Sequence, residues 1–280
     1  MTLLRKAAVA GAVVGVAIAA NNAAGKPIPF LRSSFLRFAT SMRRFNTSGQ
    51  VGDGRELALS AYVTANARRD DIDDVIAKID DFARHRSYLV NIGDEKGLIL
   101  DHAVANAQPK LILELGTYCG YSALRIARAM PPGARLISIE PNPANAAIAR
   151  QIWEHAGVAH RITAIVGMIG DSGATIDNLR DRYGFADGTV DFVFFDHNKE
   201  YYLPDLRRIL DQNWLHAGSV LVADNVKAPG APELLEYLRA NEATGWTTVE
   251  HETHAEYQRL IKDLVTESVY LGEENGAPAP

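Results

Sequence analysis

Asp196, Asp224 and Asn225 each stand where an apolar run stops, after Val190–Phe195 in the first case and after Ser219–Ala223 in the second. Short apolar runs of this kind read as buried parallel strands, and ligands of open α/β sheets sit outside the carboxyl ends of strands. Two such ends carrying oxygen donors suggest a hard cation, with Mg2+ the first choice. Asp and Asn are also common at ordinary strand-to-turn exits, so the residue types do not decide the matter alone. Upstream, Leu111–Leu115 leads through Gly116-Thr117-Tyr118-Cys119-Gly120 into Tyr121-Ser122, a strand, a glycine turn and a helix. That order suits a nucleotide-like ligand held beside the cation.

The glycines of this turn lie four apart, so it lacks the Gly-x-Gly-x-x-Gly that lets a backbone approach a pyrophosphate. A dinucleotide is therefore disfavoured, and with it an NAD-dependent dehydrogenase. Glu114 at the entrance of the turn suits a ligand that carries a positive charge. Glu140 ends the next strand, 24 residues after Gly116, about where an acidic side chain takes ribose hydroxyls in nucleotide-binding sheets. Gly116 and Gly120 would also serve a tight connection with no ligand at all.

These residues need a sheet to hold them level. Strand-like runs occur at 111–115, 135–140, 162–166, 190–195, 219–223, 247–252 and 268–271, and helical spacing occurs at 121–130, 143–156, 203–212 and 231–243. The alternation predicts an α/β fold with a seven-stranded, mainly parallel sheet covered by helices on both faces. Two further helices are expected at 56–69 and 71–88, the second opened by the acidic cluster Asp70-Asp71-Ile72-Asp73-Asp74, which favours a helix start. There is no internal repeat, and the tail 273–280 is expected to fray.

At 280 residues with 47% hydrophobic composition, the chain can bury one large core. A formal charge of −5, from 34 acidic and 29 basic residues, recommends no nucleic-acid partner. The single cysteine, Cys119, excludes an intramolecular disulfide and a Cys-rich zinc cluster. The first 45 residues hold seven basic residues and no acidic one, and read as a separate extension ahead of a domain at 46–280, with 46–53 as linker. Residues 7–20 have the length and flanks of a signal-peptide core or an uncleaved anchor, although a full span needs about 20 apolar residues. Residues 30–45 interleave aromatics with arginines, a pattern that suits an anionic membrane surface, so residues 7–45 are the expected membrane contact. More positive charge follows the apolar run than precedes it, which leaves the catalytic domain on the cytoplasmic side, with secretion the weaker alternative.

From about Asn91 to Gly272 the sequence resembles the catechol O-methyltransferase family. The resemblance rests on Asn91–Gly97, Glu114–Ser122, Ile139–Pro143, Phe195–Lys199, Ala223–Val226, Pro229–Pro232 and Glu256-Tyr257, all in the family's order. It implies a class I, Rossmann-like methyltransferase using S-adenosylmethionine and Mg2+. By resemblance Asp196, Asp224 and Asn225 hold the metal, and both hydroxyls of a catechol with a water complete its shell. Lys199 matches the general base and Glu256 the carboxylate that bonds the second hydroxyl. Asn91, Ile92, Gly116, Tyr118, Ser122, Glu140 and His197 match the cofactor lining, with Asp196, Lys199, Asn225 and Glu256 around the substrate. A phenol titrates near 10 and is a poor nucleophile at neutral pH, so coordination to a dication has a clear purpose. A lysine beside a dication also has its neutral, basic form favoured.

The family pattern fails at the mouth. Asn198 and Tyr88 stand where the family has tryptophans, Ile169-Gly170 replaces a Ser-Gln pair at the adenine, and Ala255 replaces a bulkier apolar residue. These departures leave open a phenylpropanoid, a flavonoid or another vicinal diol as acceptor. A catalytically silent cofactor-binding module is the alternative of a different class, and the intact metal and base positions argue against it. A small-molecule catechol is the expected partner, and the chain is expected to be a monomer or weak dimer.

Overall fold

The computed structural model describes residues 13–21, 23–24 and 31–272. Expectations for Arg5-Lys6, for 7–12 and for the tail 273–280 fall outside them. Residues 13–21 are helical, and among the described residues no helix is long and apolar enough to cross a membrane.

Seven strands form one sheet: β1 (Leu111–Leu115), β2 (Arg135–Glu140), β3 (Ile162–Val166), β4 (Val190–Phe195), β5 (Leu215–Ala223), β6 (Trp246–His254) and β7 (Lys262–Tyr270), in the order β3-β2-β1-β4-β5-β7-β6. The first five run parallel, while β7 is antiparallel to both β5 and β6. The first four strands have the bounds expected from sequence, because both of their faces are buried and the apolar run coincides with the strand. On β4, Phe192 and Phe194 enter one hydrophobic core while Val193 and Phe195 enter the other. The last three strands are longer than their apolar runs. β5 begins at Leu215, paired with Val190 ahead of an irregularity in the ladder. β6 and β7 pair from Trp246 opposite Tyr270 to His254 opposite Lys262, so backbone pairing carries polar residues that hydropathy alone does not mark.

The helices are α1 (Ser33–Thr40), α2 (Met42–Ser48), α3 (Arg55–Asn66), α4 (Ile72–His85), α5 (Gly93–Ala107), α6 (Tyr121–Ala129), α7 (Pro143–His155), α8 (Ala174–Tyr183), α9 (Tyr202–Asp211) and α10 (Pro232–Ala240). The acidic cluster opens α4 as expected, since the Asp71 carboxylate caps the Asp74 amide at 3.0 Å and Asp73 and Asp74 lie in the first turn. Asn142 caps α7 through the amides of Ala144 and Asn145, with Pro143 at the first helical position. α5 was not anticipated, because Gly93 and Gly97 weaken its helical signal.

Backbone bonds carry the parallel ladder one residue beyond each strand. Gly116 N donates to Ile139 O at 3.0 Å, Asp196 N to Leu115 O at 2.9 Å and Asp224 N to Phe195 O at 2.9 Å. The ends of β1, β4 and β5 are thereby level. Gly116 has φ +98°, and a Cβ there would lie 2.6 Å from the carbonyl carbon and oxygen of Asp196. Only glycine lets the turn after β1 touch the end of β4 so closely. Gly116→Ala is expected to destabilise the chain by about 3 kcal/mol through backbone strain and overpacking. Urea unfolding checks this, and an unchanged midpoint would mean the contact is slack.

Candidate active site

The ends of β4 and β5, the start of α5 and the β6–β7 hairpin bring together four carboxylates and two ammonium groups. Lys199, in the 3-10 turn Lys199–Tyr201, places its Nζ 3.0 Å from Asp196 Oδ1 and 2.7 Å from the Tyr202 hydroxyl. Tyr202 Oη is itself within donating distance of Phe195 O, 2.8 Å, and Asp224 O, 3.0 Å, which ties this turn to both strand ends. Deeper in, Lys96 of α5 is 1% exposed and places Nζ 2.8 Å from Asp224 Oδ1, 2.7 Å from Glu256 Oε1 and 3.0 Å from Asp263 Oδ2. Asn225, in the left-handed region at φ 55°, donates from Nδ2 to Glu256 Oε1 and Asp263 Oδ2, each at 2.9 Å. Tyr88 Oη donates to Glu256 Oε2 at 3.2 Å.

Burial opposes charge throughout this cluster, and neighbours decide the outcome. Burial works against the Lys96 ammonium, but Asp224, Glu256 and Asp263 together outweigh it and hold Lys96 well above its usual range. Burial likewise opposes ionised Glu256, and Lys96 with the Asn225 amide brings its carboxyl below the usual value. Asp196 is pushed up by burial against the pull of Lys199 and Lys96. Formally, Asp196, Asp224, Glu256 and Asp263 face Lys96 and Lys199, four negative charges against two positive.

Sequence reasoning singled out Asp196, Lys199, Asp224, Asn225 and Glu256, and the structure brings all five into this cluster. It missed Lys96, Asp263 and Tyr202. A signal for Lys96 was present, because Lys96, Leu100, Ala103 and Val104 follow the i, i+4, i+7, i+8 spacing of a buried helix face. An ammonium on such a face requires carboxylate partners.

The second group of expected residues gathers at the ends of β1 and β2. Glu140 accepts the Tyr118 amide on Oε2 at 2.8 Å and the Asn142 amide on Oε1 at 3.0 Å, so its carboxylate is fixed in place. Tyr118 has φ 46°, part of the turn that Gly116 begins. Ser122 donates to Glu114 Oε1 at 2.5 Å, and Ser138 donates to the other oxygen. Burial pushes the Glu114 carboxyl up to about 7 in spite of these bonds. Asn91 accepts the Gly93 amide at 3.2 Å and keeps a buried Nδ2 without a hydrogen-bond partner. A Cβ on Gly93 would lie 3.3 Å from the Glu256 Cα, so the Asn91–Gly93 loop joins the two groups; Ile92 beside it is buried. His197 is half-buried, with its ring nitrogens shielded from solvent and Nε2 3.1 Å from Asp205 Oδ2 but outside hydrogen-bond geometry, and desolvation of the ring lowers its pKa, so the ring is neutral near pH 7.

The profile of the O-methyltransferase family matches residues 71–237. The chain belongs to that family. Within it the chain is 57% identical over 234 residues to a probable O-methyltransferase of Mycobacterium tuberculosis, covering 84% of this chain and 100% of the relative. It is 44% identical to catechol O-methyltransferase B of Danio rerio, covering 78% of this chain and 80% of that one, and it is of the catechol O-methyltransferase-like kind. Among solved structures, the O-methyltransferase TomG of Streptomyces achromogenes in complex with SAM superposes with a TM-score of 0.58 at 26% identity, covering 77% of this chain and 96% of that chain. The Rossmann-like class I methyltransferase fold and S-adenosylmethionine-dependent O-methyl transfer follow from these likenesses. In this O-methyltransferase the glycine turn, the fixed Glu140 carboxylate and the unpartnered Asn91 amide fit the methyl donor.

Proposed function

We propose that this O-methyltransferase moves the methyl group of S-adenosylmethionine to one hydroxyl of a catechol in a Mg2+-dependent reaction. The observation that carries the reading is an excess of buried carboxylate: four carboxylates face two lysines beside the cofactor turn, and burial with the neighbouring carboxylates pushes Asp224 up to about 7 in spite of Lys96. A dication neutralises it. The donor set also fits, since Asp224 Oδ2 is buried without a hydrogen-bond partner and the Asn225 amide nitrogen is committed to Glu256 and Asp263, leaving its oxygen. Among the described residues no three His, Cys, Asp or Glu side chains form a metal cluster; the set proposed is two carboxylates, Asp196 and Asp224, and one amide, Asn225. Oxygen donors of this kind suit Mg2+.

The bound dication would lower the phenol pKa and fix the direction of its oxygen. Lys199, as the neutral amine once its own proton has passed to solvent, would take the proton of the attacking hydroxyl, and Glu256, held by Lys96 and Tyr88, accepts a hydrogen bond from the second. The oxygen-to-carbon bond forms as the carbon-to-sulfur bond breaks in line, leaving a methyl ether and a neutral thioether. Charge disappears in this step, so positioning is expected to dominate; oriented reactants recover about 7–11 kcal/mol. Gly116, Tyr118, Ser122, Glu140, Asn91, Ile92 and His197 position the donor. The catalytic unit includes residues 46–280, and the positive charge after the apolar segment supports a cytoplasmic side for it.

A second reading, a larger vicinal diol of the phenylpropanoid or flavonoid type, draws support from the mouth. Asn198 caps the Glu200 amide at 3.3 Å where the family offers an indole, and Ala255 adds little bulk. Methyl transfer from labelled S-adenosylmethionine to a panel of diols, with and without Mg2+, tests both readings. Asp196→Ala is expected to abolish the Mg2+-dependent part of turnover, and unchanged activity would end the metal role of Asp196. S-Adenosylhomocysteine binding with no turnover on any diol would favour a silent cofactor-binding module.

A further inference from the structure

The segment Ser33–Gln50 lies outside the family match at residues 71–237, yet it reaches both halves of the site. Its aromatic residues turn toward the domain. Phe35 and Phe38 pack on Tyr88 with ring centroids 5.1 and 5.4 Å away, and Phe45 packs edge-on against Tyr118 at 6.2 Å. Tyr88 is the residue that donates to Glu256, and Tyr118 supplies the amide that fixes Glu140. Polar bonds anchor the start of the segment: Ser34 O accepts from Arg55 Nη2 at 2.7 Å, and Ser34 Oγ accepts the Tyr88 amide at 3.1 Å.

Its other end lies on the ribose carboxylate. Asn142 Nδ2 donates to Ser48 O, Asn145 Nδ2 to Gly49 O at 2.9 Å, and Gln50 Nε2 to Asn145 Oδ1 at 3.0 Å. A Cβ on Gly49, which has φ +67°, would lie 3.5 Å from Glu140 Oε1 and 3.2 Å from Asn145 Nδ2. Glu140 is left 4% exposed. A carboxylate meant for ribose hydroxyls is thus roofed by Ser48–Gln50, while Phe45 covers the neighbouring turn.

We propose that Phe45 and the Ser48–Gln50 backbone are part of the S-adenosylmethionine site, forming the wall that closes over the ribose and slows cofactor release. The inference uses S-adenosylmethionine dependence and the placement of its ribose at Glu140, and is independent of the Mg2+ and catechol assignments. Phe45 is a positioning residue in this reading.

The test uses the full chain and S-adenosylhomocysteine as probe. Calorimetry and stopped-flow release of Phe45→Ala should show about a tenfold weaker Kd, carried mainly by faster release, the upper range for one lost aromatic contact. Hydrogen exchange on the unaltered chain gives a second readout that does not depend on a variant folding: amides of residues 42–51 should exchange several-fold more slowly when the probe binds. An unchanged or tighter Kd in a folded Phe45→Ala, or amides at 42–51 that keep or lose protection on binding, would overturn the proposal. Failure of the unaltered chain to bind the probe at all would overturn it together with the cofactor assignment, and is thereby distinguishable.

Discussion

Lys199→Met is expected to lower kcat by about 10²–10⁴-fold, the range for loss of a positioned base, while the Kd of S-adenosylhomocysteine stays within about threefold. The ammonium lies 3.0 Å from Asp196 Oδ1, where it can reach a hydroxyl held beside that carboxylate without contributing to the Glu140 end of the site. Its removal takes one positive charge from the cluster, so Mg2+ affinity should hold or rise. A pH profile separates a base from a structural lysine. Because the acceptor hydroxyl must then ionise without a base, turnover of the variant should climb with pH and recover part of the loss. A variant with unchanged kcat, or one whose loss appears only in KM, would make Lys199 a positioning residue instead.

The second large effect concerns stability. Lys96→Met leaves Asp224, Glu256 and Asp263 buried without their shared cation, and breaking a buried ionic group from one side costs about 3–5 kcal/mol. The pH dependence should tilt further toward stabilisation by acid. In the native chain the Glu256 carboxyl lies below its ordinary value, so its contribution is lost as the pH falls through the depressed value, while Asp224, pushed up to about 7 by burial, and the raised Asp196 contribute with the opposite sign. Without Lys96, burial dominates and raises the carboxyls, so the variant should gain stability as the pH falls from about 7 toward 5. Mg2+ should stabilise the variant more than the native chain, because the variant has lost one of the cluster's two cations. Urea midpoints at the two pH values, with and without Mg2+, decide the question; a parallel pH dependence in both proteins would show that the Lys96 charge is not what holds the three carboxylates.

The parallel half of the sheet was legible because its strands are buried on both faces and end abruptly in Gly116, Glu140, Asp196 and Asp224. Burial and hydropathy coincide there, so bounds and chemistry could be read together. The hairpin β6–β7 was legible only in part, since backbone pairing extends it beyond the expected runs 247–252 and 268–271 over residues such as His254, Lys262 and Asp263 that hydropathy assigns to loops. Lys96 escaped notice because a lysine is ordinarily a surface residue; the information that it is buried lies in three partners drawn from β5 and the hairpin, far away in sequence. The N-terminal segment shows the reverse difficulty. Alternating aromatics and arginines have the composition of a membrane interface, yet Phe38 is buried against Tyr88 and Arg32 Nη1 donates to Ala83 O at 2.8 Å. An amphipathic helix has the same pattern whether a bilayer or a protein covers it, and only the long-range contact distinguishes them.

Because no side chain fits between Gly116 and the carbonyl of Asp196, the glycine turn after β1 and the end of β4 share a fixed separation, which in the proposed reaction separates donor from acceptor. The gap across which a methyl group travels is therefore a property of two touching backbones. Asn198 and Ala255 belong to none of those contacts. A lineage can exchange them, admit a bulkier or more polar acceptor, and inherit the reaction distance unaltered, so that acceptor choice in such enzymes can diversify much faster than the chemistry it feeds.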